Sequence, residues 1–341
     1  MKKIILFLFF SITLLAQEKE KISLNKSIKD PNSSFKSITI IDHRDSKDVG
    51  SVMYHKDQID LVFESDNADA DIKNWFYKYN PAKGKDDFVL LLEDVRVNED
   101  KKEKFSIGNL HFRASTFIKK EDGYHFITRK DTLANVSSRV TPYMAQSLAK
   151  KITLIFTDLF KDSYKTRAWE FGISENDLSD YTSVLRDRLD IFKADTLKEG
   201  VYKDSYSFFM HKPEPGFVIQ TNSKGIVTKA VNGEEKIPLR NMYAFVHQGI
   251  PYKVIPVGYT EVFKDDKGLS IEATSADLFP ETSTSGVAIG AAAGGLVGGM
   301  IGAVVDVSLG AGKRKTNSGS QVYLDPFTGN YILPENFGKS K

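Results

Sequence analysis

The stretch Asp87-Phe88-Val89-Leu90-Leu91-Leu92-Glu93-Asp94-Val95-Arg96-Val97 decides the fold. Its continuous apolar run, Phe88 to Leu92, reads as a strong strand. Two alternating stretches follow it. Leu110, Phe112, Ala114 and Thr116 share one face, and then Tyr124, Phe126 and Thr128 do the same, with Glu121-Asp122-Gly123 turning between them. That pattern predicts a hairpin. Thr141-Pro142 then opens a helix as N-cap and first helical residue. Met144, Leu148, Ile152, Ile155 and Leu159 give it an apolar stripe at helical spacing, which marks a core face.

Upstream, Ser37–Asp42, Val49–Tyr54 and Gln58–Glu64 read as short strands. Asn67 caps a helix through Tyr79 that presents Ile72, Trp75 and Phe76. Downstream, a second helix is expected after Ser174, with Leu178, Tyr181, Leu185 and Leu189 inward. Residues 35–195 therefore read as an α+β domain: an antiparallel sheet with helices on one face. Residues 196–275 read as a small all-β meander. Its strands are Phe217–Thr221, Gly225–Val231, Met242–His247, Pro251–Pro256, Tyr259–Phe263 and Leu269–Ala273. Asn232-Gly233, Gln248-Gly249 and Asp265-Asp266-Lys267-Gly268 supply turns. Near the C-terminus, Gln321–Tyr323 and Tyr331–Leu333 are expected to close a hairpin within 306–341, after a basic flank.

Residues 1–16 read as a secretory signal. Lys2 and Lys3 precede an apolar run, Ile4 to Leu15, that is too short to span a bilayer. Residues 17–34 then read as a loose polar leader. The whole chain of 341 residues carries 47 basic and 45 acidic residues. Without Lys2 and Lys3 the two signs balance, which argues against a nucleic-acid partner. Cysteine is absent. That excludes disulfides, thiol nucleophiles, thiolate metal sites and lipid attachment through an N-terminal cysteine.

The unusual piece is Gly286–Val305. It has 20 residues and no charge, and seven of them are glycine. Gly286, Gly290, Gly294, Gly298 and Gly302 keep a four-residue period, and Gly295 and Gly299 add an offset row. Each glycine costs a helix in water roughly 1 kcal/mol relative to alanine. In lipid the backbone must bond internally, and a face without side chains lets another helix approach closely. The run carries Val, Ile, Leu and Met instead of the polar residues of a flexible linker. The expectation is a helix-packing segment, either one spanning helix or two short helices bending near Gly294-Gly295 or Gly298-Gly299. Its partner would be a membrane or another helix, and a homo-oligomer fits the same segment. Over Gly286 to Gly302 the pattern resembles the glycine-zipper segments of small Gram-negative outer-membrane proteins.

Two further resemblances are local. Asp42-His43-Arg44-Asp45 after a strand, then Gly50, a hairpin and a long helix, is similar to periplasmic transport-auxiliary lipoproteins. Those attach through a lipidated cysteine, which this chain lacks, and the glycine segment would substitute as anchor. Gly200-Val201-Tyr202, Phe208-Phe209, Pro213, Tyr243-Ala244-Phe245 and Gly249-Ile250-Pro251-Tyr252 resemble a secreted domain family of unknown function.

Six histidines are present: His43, His55, His111, His125, His211 and His247. None stands in a metal-binding HExxH or HxH arrangement. Asp42, His43, Asp45 and Asp48 could hold a divalent cation, but a polar loop with Arg44 paired to a carboxylate is the better reading. Asp42, Arg44 and Asp45 are kept as a speculative polar site. His111 and His125, on opposing arms of the hairpin, could be neighbours. The chain has no nucleophile elbow, no Walker loop and no dinucleotide fingerprint. No catalytic, cofactor or metal residues are therefore assigned. The sequence reads as an exported, non-enzymatic protein of the periplasm or outer membrane of a Gram-negative cell. The alternatives are a transport-auxiliary or ligand-binding module, and third a secreted hydrolase.

Overall fold

A computed structural model of the chain describes residues 18–54, 57–81, 83–280, 319–334 and 337–338. The signal at 1–16, the glycine segment 286–305 and the basic Lys313-Arg314-Lys315 lie outside the described residues. The fold is mixed α+β and mostly sheet.

Strand β1 (Glu18–Ile22) pairs in parallel with β4 (Asp57–Phe63), from Glu18 opposite Ile59 to Ile22 opposite Phe63; β2 (Phe35–Asp42) and β3 (Ser51–Tyr54) lie between them in the chain. β3 completes this three-stranded sheet on the other edge of β4. The loose leader expected over 17–34 is thus corrected: it is packed and tied down. Ile22 and Ile28 are fully buried. Helix α1 (Ala68–Tyr79) holds the leader from below, with Trp75 Nε1 donating to the Lys26 carbonyl at 2.7 Å. Asn80, just past the helix, accepts from the Asp30 amide at 2.7 Å and donates to the Ile28 carbonyl. The expectation failed because Ile22, Leu24 and Ile28 are too sparse to show a period, and their partners lie far along the chain.

β5 (Asp86–Lys101), β6 (Ser106–Lys120) and β7 (Gly123–Ser137) form a long antiparallel meander. The sheet is not wholly antiparallel as expected, because β2 joins its edge parallel to β5. A parallel neighbour needs a long crossover, and the β3–β4–α1 excursion supplies it. Asn67 caps α1 as read, accepting from the Ala70 amide. Helix α2 (Met144–Ser163) starts two residues later than expected. The Thr141 hydroxyl accepts from the Tyr143 amide, a local turn that competes with capping. Met144, Leu148, Ile152 and Leu159 are buried against Phe88, Leu90, Leu92 and Phe112.

The other face of the same sheet has a different cover. Instead of a single helix after Ser174, a 3-10 turn (Asn176–Asp180) leads into short helices α3 (Tyr181–Arg186) and α4 (Asp190–Lys193), with Leu178, Tyr181, Leu185 and Leu189 all buried as expected. β8 (Gly200–Tyr202) and α5 (Ser205–Phe209) follow. Next come β9 (Val218–Thr221), β10 (Val227–Asn232) and β11 (Glu235–Pro238), which make a small separate sheet. β12 (Ala244–His247), β13 (Ile250–Ile255), β14 (Gly258–Asp265) and β15 (Gly268–Ala273) build a meander; α6 (Ser275–Leu278) ends this stretch. β16 (Ser320–Leu324) and β17 (Tyr331–Ile332) complete a seven-stranded sheet in the order β17-β16-β15-β14-β13-β12-β8.

One buried cluster joins Val89, Leu91, Phe117 and Phe126 of the long sheet to Leu185, Phe208, Val246, Val262 and Val322. The boundary expected at residue 195 therefore runs through a shared core. Another cluster, with Val201, Phe245 and Tyr259, lies between the second sheet and the β9–β11 sheet. Among the described residues no helix is long and apolar enough to cross a membrane.

Candidate functional site

The distinctive chemistry gathers at a bulge in β5. Along this strand Phe88, Leu90 and Leu92 face α2, while Val89 and Leu91 face the shared core. Between Leu92 and Asp94 the register with β6 shifts, so Glu93 is an extra residue. Beyond it Val95 and Val97 face α2. One inserted residue inverts the alternation of everything downstream. It also points the Glu93 carboxylate into the core side, beside Ser115, Tyr181 and Arg113.

The Ser115 hydroxyl donates to Glu93 Oε2 at 2.7 Å and lies 2.6 Å from the Tyr181 hydroxyl, which is itself 3.4 Å from the same carboxylate oxygen. Arg113 Nε is 3.1 Å from Glu93 Oε1, near enough for charge attraction, but its N–H is not aimed at that oxygen. Burial pushes the Glu93 carboxyl above its ordinary range, against the Ser115 hydrogen bond and the charges of Arg113 and Arg129. Burial likewise pushes the Tyr181 phenol up to about 12. An open cleft of about 420 Å³ is lined by His43, Glu93, Leu178 and Ser179. His43 reaches it because its amide extends the β2–β5 ladder to the Leu92 carbonyl at 2.9 Å.

Behind this group Arg129 Nη2 lies 3.2 Å from both carboxylate oxygens of Asp325, in the β16–β17 loop. The guanidinium also sits over the Phe327 ring at 4.6 Å. Phe327 stacks on Trp169 with centroids 5.9 Å apart. Asp325 organises its own loop by accepting from the Phe327 amide and the Thr328 hydroxyl. The loop is thus a plug that bonds the C-terminal hairpin to the long sheet.

The speculative polar site resolves into a closed bracket. Arg44 Nε and Nη2 donate to the two oxygens of Asp42 at 2.9 and 2.8 Å, and Lys47 Nζ adds a third contact at 3.1 Å. Burial would raise the Asp42 carboxyl, but the bonds from Arg44 and Lys47 outweigh it and hold it at about 2. Arg44 is buried, whereas Asp45 is exposed and outside the bracket. Asp42 has no oxygen left uncommitted, so this pair braces the loop after β2. Among the described residues no three His, Asp or Glu side chains are grouped to hold a metal ion.

The histidines are dispersed. His111 is opposite Leu133 and His125 is opposite Ile118, so the neighbourhood expected for these two is corrected. The tight turn at 121–122 sets that register. The His125 ring spans the Trp169 carbonyl and the Asp122 carboxylate, each at 2.8 Å. His55 and the glycines Gly286 to Gly302 lie outside the described residues.

Sequence reasoning missed Glu93, Ser115, Tyr181 and the Arg129–Asp325 pair, and also Lys253. The ammonium end of Lys253 is buried 4.0 Å above the Tyr243 ring and 5.7 Å from the Tyr331 ring, donating to the Val254 carbonyl. Burial alone brings its amine down to about 7. The signal available for Glu93 was a carboxylate set directly against a five-residue apolar run. No protein-family model, curated protein or solved structure matches the chain.

Proposed function

We propose that the chain is an exported, non-enzymatic cell-envelope protein that associates with a membrane or a partner helix through residues 286–305. The observation that carries this reading is a strand pairing. β15 and β16 are antiparallel neighbours, with Ala273 opposite Ser320. The intervening stretch begins and ends on neighbouring strands of the second sheet, with α6 as its first folded part. An apolar, glycine-periodic run inserted between two paired strands is not needed to connect them, and supports a role toward an outside partner.

The same pairing favours the bent geometry. A single spanning helix over Gly286–Val305 would put Val305 roughly 30 Å away, across the bilayer. Asp306 and Lys313-Arg314-Lys315 would then have to return through hydrocarbon to reach Ser320. Each such charge costs about 2.5–3.5 kcal/mol at mid-membrane. A bend near Gly294-Gly295 or Gly298-Gly299 keeps all four on the side of the folded body.

The test is carbonate and detergent extraction of the full chain and of a 286–305 deletion. The reading expects only the full chain to require detergent or to self-associate; two soluble monomers would sink it. Because the chain has no cysteine, Thr284→Cys and Thr316→Cys each report topology cleanly. An impermeant maleimide should label both from the same side of the membrane.

A further inference from the structure

Past the Glu93 bulge, the core-side face of the long sheet emerges from under the second sheet. Three rows of side chains run across β5, β6 and β7 there. Asp94, Arg113 and Asp131 form the first, Arg96, His111 and Leu133 the second, and Asn98, Asn109 and Asn135 the third. All nine are exposed or half-exposed, while their neighbours Val95, Val97, Leu110, Phe112, Ala134 and Val136 are buried under α2. The face is therefore a polar platform whose backbone is held from behind by a packed core.

Its charges cancel locally. Arg96 is 3.1 Å from Asp94, and Arg113, which is 3.1 Å from Glu93, is 3.7 Å from Asp131, so the nine residues carry two cations and two anions. A face with no net charge is matched to a ligand with no net charge. Part of its hydrogen-bonding capacity is unspent. Asn109 donates to Asn98 at 3.3 Å and to the Ile107 carbonyl at 3.5 Å, which leaves its side-chain oxygen as acceptor, and the side chains of Asn135 and His111 have no hydrogen-bond partner among the described residues. Each asparagine offers both a donor and an acceptor, repeated at the strand spacing of about 4.8 Å. In the middle row the His111 ring and the Leu133 side chain, 57% exposed, add an apolar strip. Paired donors and acceptors beside an apolar strip complement a sugar ring, which has hydroxyl groups at its edge and C–H groups on its face. The open cleft at His43 and Glu93 adjoins the first row, where Arg113 approaches Glu93 at 3.1 Å.

We propose that this platform binds a neutral oligosaccharide, with Asn98, Asn109 and Asn135 bonding hydroxyls and His111 with Leu133 packing on a ring face. This goes beyond the envelope reading and does not depend on residues 286–305. The experiment exposes the full chain to an array of neutral, uronic-acid-containing and sulfated oligosaccharides, followed by calorimetric titration of the strongest neutral ligand. Neutral glycans are expected to bind best. Asn109→Ala and His111→Ala should each weaken binding by about fivefold or more, the scale of one lost hydrogen bond or ring contact, with unchanged thermal midpoints. The triple variant Asn98→Ala/Asn109→Ala/Asn135→Ala should abolish binding, whereas deleting 286–305 should leave it intact. Binding of acidic glycans alone, full binding by the triple variant, or no binding to any glycan would each overturn the proposal.

Discussion

The two faces of the long sheet use one backbone for opposite purposes. The α2 face is packed from end to end, from Phe88 to Val97 on β5 and from Ile127 to Val136 on β7, and the few polar groups within it, such as Lys130 on Asp162 and Thr116 on Ser163, are paired with α2. The opposite face begins apolar at Val89, Leu91, Phe117 and Phe126 and turns polar after Glu93. β7 carries a matching irregularity, because the register jumps from Thr128 opposite Thr116 to Phe126 opposite Phe117. The two bulges let the strands change which residues face the core without breaking the ladder. A sheet can thus keep one face continuous while the other passes from core to solvent within a few residues.

The largest expected effect breaks the continuous face. Phe112 is fully buried and packs edge-on to Phe156 of α2 at 4.8 Å. Phe112→Ala should cost about 3–5 kcal/mol, read as a lower urea midpoint with an unchanged slope. A smaller loss is expected where the second face meets the C-terminal plug. Asp325→Ala strands the Arg129 guanidinium in a site where it is only 12% exposed. The cost should be about 3 kcal/mol, and limited proteolysis should then release the β16–β17 hairpin first.

Next in size, counted per pH unit, is a pH effect behind that plug. The Lys253 amine titrates near 7 when folded and near 10.5 when unfolded. Between those values the unfolded chain holds the extra proton, so this residue makes stability rise as pH increases from about 7 to 10.5, with no further contribution below 7. Lys253→Met should remove that slope, measured by denaturant titrations at several pH values. The smallest effect is expected on the open platform. Asn135→Ala should shift stability by no more than about 0.5 kcal/mol, which separates a platform residue from a core residue on the same strand.

Local patterns carried much of this architecture. The apolar run at Phe88–Leu92, the turn at Glu121-Asp122-Gly123 and the Asn67 cap each depend on residues close in sequence, and each lies where it was read. Features that depend on distant partners were not legible. β1 is nearly all polar and becomes a strand only against Ile59–Phe63. The parallel edge at β2 depends on a crossover that no periodicity announces. The polar group at Glu93 draws Ser115, Tyr181, Arg129 and Asp325 from four separate elements, and their meeting follows from tertiary packing alone. The platform is an intermediate case. Its alternation was visible from Leu110 to Thr116, but whether the odd residues met a core or water depended on where the second sheet ends.

The Ala273–Ser320 pairing also fixes how the protein would carry a mechanical load. A pull on the stretch between them, once it has drawn α6 away, acts on both strands at the same end of an antiparallel pair. Such a pull peels the ladder open one rung at a time and does not shear all rungs together. The rungs from Ala273–Ser320 to Ser270–Tyr323 would part in sequence, and the Asp325–Phe327 plug lies directly behind them as the stop.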